Sequence, residues 1–280
     1  MNYRHSFHAG NFADVIKHVV LLRILAHLSR KQTPFRVIDT HAGAGMYDLA
    51  GNEAARTGEW IEGIGRLREQ TLDPEAEAVL APYRAALSQL APEATRYPGS
   101  PALIWQALRA DDRASFNELH PETCHALRRA LPRDNRIVIN EIDGYTAWKA
   151  QIPPRERRGL VLVDPPFEKT DEFDRMAEGI AAMAGKWPTG TAMLWYPIKH
   201  RDAVLRFETA LQTCGFGKVL VIELHVDTPE AIGPLAACGL AIVNPPWTLA
   251  EEMTALLPGL CALLARRDHA RWRCEWLVGP

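Results

Sequence analysis

Apolar residues recur along this chain at two different spacings, and segments with the two spacings alternate. Within residues 13–30, Val15, Val19 and Leu22 fall at helical spacing and predict an amphipathic helix. A short apolar run at 35–39 predicts the first strand. Further strands are predicted at 114–118, 136–140, 159–163, 190–196, 217–226, 237–243 and, at an edge, 271–278.

Helices are predicted between most of these strands, at 101–110, at 121–131, around Trp148, between 196 and 217, and at 248–266. Strands that alternate with helices predict an α/β fold with a mostly parallel, doubly wound sheet. The segment 51–97 interrupts the alternation, because helical spacing starts at Ile61 and again at Pro74. We therefore predict a small helical subdomain, 51–97, inserted into one α/β domain formed by 1–50 and 98–280.

The composition narrows the class of protein. The 280 residues are 47% hydrophobic and 24% charged, as in ordinary globular enzymes, and no apolar stretch is long enough to span a membrane. Five cysteines without a Cys-x-x-Cys pair predict neither a zinc site nor a disulfide framework, and favour a reducing cytoplasm. A net charge of −2 argues against nonspecific clamping of long duplexes. We expect a cytoplasmic protein, monomeric by default and without a metal.

The apolar run 160–163 ends abruptly in Asp164-Pro165-Pro166-Phe167. Proline cannot continue a central strand, so the strand should stop there and present Asp164 at its carboxyl end, where ligands bind in open α/β sheets. The carboxylate and the Pro165 carbonyl can accept hydrogen bonds from an amine, and the Phe167 ring can stack on a flat base. This pattern is typical of methyltransferases that act on the amino groups of nucleobases.

Residues that suit a cofactor follow the first three strands. Gly43 and Gly45 lie after the first strand, Glu118 ends the second, where it can bind ribose hydroxyls, and Asp143 follows the third, where it can bind an adenine amine. A dinucleotide fingerprint would need a third glycine where Asp48 stands, and no phosphate-loop motif is present. The order of these features predicts a Rossmann-like class I methyltransferase that uses S-adenosylmethionine.

A second motif, Asn244-Pro245-Pro246-Trp247, has the same amine-methylating pattern as the first. The last strands of this fold class normally include one that is antiparallel to the others. We expect the strand before Asn244 to be that one, which would place the second motif at the edge of the sheet away from the cofactor. We therefore assign catalysis to Asp164.

Several longer motifs, spread over nearly the whole chain, match one known family. They are Tyr3-Arg4-His5-Ser6-Phe7-His8-Ala9-Gly10-Asn11, Lys17-His18, Asp39-Thr40-His41-Ala42-Gly43-Ala44-Gly45, Tyr97-Pro98-Gly99-Ser100-Pro101, Glu118-Leu119-His120-Pro121 and Asp164-Pro165-Pro166-Phe167. The chain resembles the bacterial large-subunit ribosomal RNA adenine-N6 methyltransferases usually called RlmJ. The family usually has tyrosine where this chain has Phe167, so stacking is kept and a hydroxyl is lost.

The resemblance implies a Rossmann-like fold with a helical subdomain inserted after the glycine loop, and it implies cofactor contacts. Matched position by position, those contacts fall on His18, His41, Ser100, Glu118, Asp143 and Gly144. We expect Ser100 to cap a helix whose amino terminus attracts the methionine carboxylate, with His41 as a second donor. The position of His18 rests on the resemblance alone.

The resemblance also implies a substrate, an adenine in free or partly assembled 23S ribosomal RNA. Tyr3, Arg4 and His5 interleave aromatic and cationic groups, and we expect this segment to hold RNA over the active site. Asp164 and the Pro165 carbonyl would accept the two hydrogens of the adenine amine. Two alternatives remain open: a DNA adenine or cytosine amino-methyltransferase, and a noncatalytic RNA- or nucleotide-binding protein.

Overall fold

A computed structural model describes residues 4–229 and 234–279, and its centre is an eight-stranded sheet. The strands of the chain are β1 (Arg36–Asp39), β2 (Met46–Asp48), β3 (Arg96–Pro98), β4 (Arg113–Glu118), β5 (Ile137–Glu141), β6 (Gly159–Val163), β7 (Thr191–Pro197), β8 (Val219–His225), β9 (Ala237–Val243) and β10 (Arg271–Val278). The order in the large sheet is β10-β8-β9-β7-β6-β1-β4-β5, while β2 and β3 pair separately. The predicted α/β class and the predicted edge strand are confirmed.

Strand direction divides the sheet. Strands β1, β4, β5, β6 and β7 are parallel to one another, whereas β9 is antiparallel to both β7 and β8, and β10 is antiparallel to β8. The prediction that the strand before Asn244 runs in reverse is therefore confirmed. The side-chain amide of Asn244 donates to the carbonyls of Pro188 and Gly190, both at 2.9 Å, beside the amino end of β7. Asp164 thus lies at the carboxyl ends of the parallel strands, and Asn244 lies at their amino ends.

Helices cover both faces of the sheet. They are α1 (Phe12–Ser29), α2 (Asn52–Thr57), α3 (Arg66–Glu69), α4 (Pro74–Leu90), α5 (Ser100–Ala107), α6 (Pro121–Ala130), α7 (Gly144–Gln151), α8 (Glu172–Lys186), α9 (Arg201–Gln212) and α10 (Leu249–Leu264). Alternate residues of β6 reach two separate cores: Leu160 and Leu162 pack with α1 and α10, whereas Val161 and Val163 pack with α7 and α8. This alternation is what a strand buried on both faces requires.

Helix α1 is not the amphipathic helix that its spacing predicts. Its apolar residues are buried around most of its circumference, and Asp14, Lys17 and His18 are buried with them. The prediction of one apolar face is wrong, because α1 packs on the sheet, on α4 and α5, and on α10. Its polar residues therefore need partners inside the protein.

Helices occupy most of 52–69 and all of 74–90, and Tyr83 of α4 packs in the same core as α1 and α10, while the predicted inserted subdomain 51–97 stays a prediction. The small sheet of β2 and β3, which joins the two ends of this segment, was not predicted, because each strand has only three residues and includes charged or proline positions. Helix α8 was not predicted either. Its Gly179 lies against the ring of Trp148, where a side chain would collide. Within the described residues, no helix is long and apolar enough to cross a membrane.

Candidate active site

A cavity of about 380 Å³ opens at the carboxyl ends of β1, β4 and β6. The predicted site residues that line it are Arg4, His5, His18, His41, Gly43, Ser100, Glu118, Asp143, Gly144, Asp164, Pro165 and Phe167. Tyr3 lies outside the described residues. Gly45 does not line the cavity: its carbonyl accepts from the Gly99 backbone at 2.8 Å, and a Cβ there would meet Leu127. Gly45 therefore contributes to the site indirectly, by holding Gly99 at the cavity.

The glycine loop is fastened to the end of β4. One oxygen of the Glu118 carboxylate accepts from the backbone N–H of Gly43 at 2.9 Å, and the other accepts from that of His120 at 2.8 Å. Gly43 has a positive φ of 66°, and a side chain there would collide with the Tyr47 hydroxyl. The carboxylate predicted to bind ribose is thus also what shapes the loop, and it has further lone pairs for a ligand.

Ser100 does not cap a helix, contrary to the prediction. It is the first residue of α5, after the cap residue Gly99, and its Oγ donates to the Asp39 carboxylate at 2.7 Å. Asp39 is fully buried, and burial raises its pKa to about 7. The serine is used to satisfy this carboxyl because no water reaches it. The amino terminus of α5 still lies at the cavity, where its free N–H groups favour an anion.

His41 is a hydrogen-bond acceptor toward the cavity. The Thr40 hydroxyl donates to the Leu162 carbonyl at 2.9 Å, so its 2.8 Å contact with Nδ1 of His41 requires the ring to donate. Burial lowers the pKa of His41 to about 4, so the ring is neutral and Nε2 carries a lone pair. The predicted donation from His41 to a carboxylate does not fit this tautomer. Nε2 suits an amine or a hydroxyl instead.

Asp143 caps helix α7, where its carboxylate accepts from the Thr146 backbone N–H at 2.9 Å. Arg175 lies 3.2 Å from the same carboxylate and 3.9 Å from the centre of the Tyr145 ring. Gly144 follows directly, and a Cβ at this position would collide with the Thr40 carbonyl and His41. The loop after β5 thus approaches the loop after β1 closely enough to form one wall of the cavity.

His18 lies in the interior rather than on the surface of α1. Its Nδ1 is 2.7 Å from the Tyr97 hydroxyl, and burial lowers its pKa to about 3, which keeps the ring neutral. Nε2 has no hydrogen-bond partner among the described residues. A buried imidazole nitrogen without a partner beside a cavity points to a ligand that completes its bonding.

Asp164 is held by a lysine that was not assigned a role from the sequence. Nζ of Lys17 lies 2.6 Å from Oδ2 of Asp164 and 2.7 Å from Oδ1 of Asp14, and Asp14 in turn contacts Nε2 of His5 at 2.9 Å. Burial opposes the charge on Lys17, but the two carboxylates outweigh it and hold the pKa of Lys17 well above its usual value. Asp164 therefore has a permanent cation beside it.

Phe167 adopts a left-handed backbone conformation with φ of 50°, which is uncommon for a residue other than glycine. Its ring lies edge-to-face against Phe173 at 5.0 Å and against Trp195 at 6.0 Å between centroids. The neighbouring Trp195, Lys169 and Lys199 also line the cavity and were not predicted. The strained turn after β6 thus directs the Phe167 ring toward a cluster of aromatic side chains at the cavity wall.

Arg4 lies at the rim of the cavity, where it pairs with Glu53 at 3.1 Å and approaches Glu122 at 3.7 Å. Both partners are at least one-third exposed, so these pairs are weak. The guanidinium can exchange them for a phosphate at small cost.

The roles of Asp14 and Lys17 were missed, although the sequence carried a signal for them. Both lie in an apolar stretch of α1 at i, i+3 spacing, where opposite charges meet. Pairing with Asp164 could not be predicted, because it depends on the packing of α1 across the sheet end.

Comparisons with known proteins agree with this geometry. A family model described as "Ribosomal RNA large subunit methyltransferase D, RlmJ" matches residues 32–278. The chain is 40% identical over 278 residues to ribosomal RNA large subunit methyltransferase J of Haemophilus influenzae, and 38% identical over 279 residues to that of Escherichia coli K12, covering 99% of each chain in both cases.

The structure is also similar to a crystal structure of protein LPL1258 from Legionella pneumophila, with a TM-score of 0.86 and 33% identity over 96% of this chain and 98% of that one. The Rossmann-like methyltransferase fold, which was predicted from the alternation of strands and helices and from the order of the motifs along the chain, is confirmed. The chain is a methyltransferase and belongs to the RlmJ family of ribosomal RNA large subunit methyltransferases.

Proposed function

We propose that the protein methylates the exocyclic N6 amine of an adenine in 23S ribosomal RNA, with S-adenosylmethionine as the methyl donor. The observation that carries this proposal is the position of Asp164. It lies at the carboxyl end of β6, on the cavity and beside Lys17, with Pro165 and Phe167 next to it. The names of the two relatives, both large-subunit ribosomal RNA methyltransferases, support this substrate class.

The residues of the cavity fit S-adenosylmethionine. Its anionic carboxylate suits the amino terminus of α5 and the Nε2 atom of His18, which has no partner among the described residues, and its ribose hydroxyls suit Glu118. Its adenine amine suits Asp143, as predicted from the sequence, and Nε2 of His41 would accept from an amine or hydroxyl nearby. When bound, this cofactor supplies a methyl group activated by a positively charged sulfur.

Asp164 would act on the adenine amine as a hydrogen-bond and proton acceptor. The nitrogen must become tetrahedral and gains positive charge as it is methylated, so acceptors aimed at its hydrogens favour the reaction. Lys17 already occupies Oδ2, which leaves Oδ1 and the Pro165 carbonyl for the two hydrogens. Lys17 also orients the carboxylate, since it is fixed from the other side by Asp14.

Phe167 would stack on the adenine once the base has left its helix. Unpairing costs roughly a few kcal/mol, and stacking on an aromatic ring returns about 1–3 kcal/mol of it. Arg4, His5 and, from the sequence, Tyr3 would bind the RNA near this base. Lys169 and Lys199 add positive charge at the same cavity. We propose a cytoplasmic monomer, which is supported by the ribosomal RNA substrate and by the fact that the described residues of one chain supply the groups at the cavity.

Labelled S-adenosylmethionine, incubated with protein-free 23S ribosomal RNA, assembled large subunits and DNA, tests this function. We expect label in the RNA, and N6-methyladenosine after digestion to nucleosides. Comparison of naked RNA with assembled subunits separates free from assembled substrate. Label in DNA alone, or a methylated cytosine, would contradict the proposal and favour a DNA amino-methyltransferase. No label anywhere would favour a binding protein.

A further inference from the structure

A chain of three buried side chains runs from the helical segment to the cavity. The Tyr83 hydroxyl of α4 lies 2.9 Å from the Tyr97 hydroxyl of β3, which lies 2.7 Å from Nδ1 of His18. The two tyrosine rings are fully buried, and 1% of His18 is exposed. The His18 and Tyr97 rings also stack, with centroids 5.6 Å apart. Water is therefore not available to satisfy these groups.

The number of hydrogens determines which group donates at each of these two contacts. Neutral His18 has one N–H and each tyrosine has one O–H, so three hydrogens are available for two contacts. If Nδ1 carried the hydrogen and donated to Tyr97, one of the two hydroxyl hydrogens would be buried without an acceptor, and the lone pair of Nε2 would be buried without a donor. Each such group costs about 1–3 kcal/mol. If Tyr83 donates to Tyr97 and Tyr97 donates to Nδ1, both hydroxyl hydrogens are used. The ring hydrogen then sits on Nε2, and this N–H is the single group of the three side chains that is left for a ligand.

We propose that Tyr97 is a positioning residue for cofactor binding, which holds His18 with its Nε2–H toward the cavity as a neutral donor to the S-adenosylmethionine carboxylate. Tyr83 completes the chain by donating to Tyr97. The carboxylate is the strongest acceptor on this cofactor, and the amino terminus of α5, which begins three residues after Tyr97, favours the same negative charge. His41, which is also neutral and lines the same cavity, presents a lone pair and cannot replace this donor.

The inference rests on the cofactor of the proposed function, but neither of its two tests involves RNA, so failure to methylate RNA would be recognised separately. Nitrogen-15 NMR of the histidine side chains assigns the tautomer of His18 in the ligand-free protein. We expect Nε2 protonated and Nδ1 shifted as a hydrogen-bond acceptor, and Tyr97→Phe should remove the Nδ1 shift. A wild-type spectrum with the hydrogen on Nδ1 would overturn the proposal.

Calorimetry with S-adenosylhomocysteine, which retains the carboxylate, gives the second test. Tyr97→Phe should weaken binding about tenfold, the effect of one misdirected hydrogen bond to a charged group. Tyr83→Phe removes an equally buried hydroxyl but leaves Tyr97 to donate to Nδ1, so its loss should be smaller. Melting temperatures of the variants monitor folding.

A double variant separates positioning from a merely structural role. In His18→Gln the side-chain amide supplies an N–H near the place of Nε2 without help from Tyr97. We therefore expect Tyr97→Phe to weaken S-adenosylhomocysteine binding in the His18 protein and to leave it unchanged in the His18→Gln protein. An equal loss in both backgrounds would show that Tyr97 acts only through packing, and the proposal would be wrong.

Discussion

Nζ of Lys17 lies 2.6 Å from Oδ2 of Asp164, although 147 positions separate them in the chain. Replacing Lys17 with Met keeps the length of the side chain but leaves Asp14 and Asp164 without their shared cation. We expect a loss of roughly 3–5 kcal/mol in the free energy of unfolding, because breaking a buried ion pair strands a charge. Methyl transfer should fall further than stability explains, because Asp164 loses its orientation.

Arg23→Met is the matched control for Lys17→Met. Arg23 also lies on α1, and it pairs with Glu252 at 2.6 Å away from the cavity. Denaturant unfolding and methylation assays should show lower stability but unchanged turnover of the folded protein. Equal turnover in the Lys17 and Arg23 variants would contradict a role for Lys17 beside Asp164.

The two amine-methylating motifs can be separated by substitution. Asp164→Asn keeps the shape of the side chain but removes the charge, and we expect methyl transfer to fall by at least about 100-fold, as for other general bases. Asn244→Ala loses two hydrogen bonds at the opposite edge and should lower the melting temperature without lowering turnover. Loss of methyl transfer in the Asn244 variant alone would show that the assignment is wrong.

The hydroxyl that is missing from Phe167 should matter little. Phe167→Tyr restores the usual residue of the family. We expect kcat/KM for RNA to change by less than the net contribution of one hydrogen bond, about 1 kcal/mol. Phe167→Leu removes the stacking surface and should cost about 1–3 kcal/mol in kcat/KM for RNA. Steady-state kinetics measures both, and a Leu variant as active as the wild type would rule out stacking by this ring.

The Glu118 carboxylate should control cofactor affinity through the glycine loop. Glu118→Gln replaces one acceptor oxygen with an NH₂ group, which faces the N–H of Gly43 or His120. We expect the KM for S-adenosylmethionine to rise about tenfold or more, since bonds to a charged acceptor are worth about 1.5–3 kcal/mol. Glu141→Gln, at the end of the neighbouring strand β5, is the control and should leave this KM unchanged.

Asp39 should make stability depend on pH. Burial raises its pKa to about 7 in the folded protein from the ordinary value of 3.8, so the folded state binds the proton more tightly between these pH values. The stabilising contribution is complete below about pH 3.8 and is lost as pH rises through 7, at up to about 1.4 kcal/mol per pH unit. Asp39→Asn removes it.

Unfolding free energies of the wild type and of Asp39→Asn, measured by denaturant between pH 5 and 8, test this dependence. The difference between them should grow in favour of the variant as pH rises. Comparison with the variant also cancels the opposite contribution of His18 and His41, whose lowered pKa values cost stability as pH falls. A difference that is constant with pH would contradict a buried, protonated Asp39.

The sequence predicted the succession of most strands and helices along the chain, and most of the predicted site residues line the cavity, because both depend on local patterns. Proline after an apolar run ends β6 at Val163, so the position of Asp164 could be read directly. The partner that each polar group binds depends on residues distant in the sequence, so it could not be predicted. Ser100 satisfies Asp39 instead of capping α5, and the acceptor for Nδ1–H of His41 was unknown until Thr40 was placed against Leu162. Buried polar groups take whichever partner lies within reach, and only the fold decides that.

Helix α1 carries residues for both parts of the proposed site, the part that would bind the cofactor and the part that would bind the base. Lys17, which contacts Asp164, and His18, which would hold the cofactor, are consecutive residues, so in the proposed function one turn of α1 would set the distance between the methyl donor and the base. Inserting a single residue into α1 before them would rotate both side chains by about 100° around the helix axis, so Lys17 would lose Asp164 and His18 would leave the cofactor site. The family model begins at residue 32, after this helix, so a protein trimmed to that match would keep the sheet and lose both Lys17 and His18.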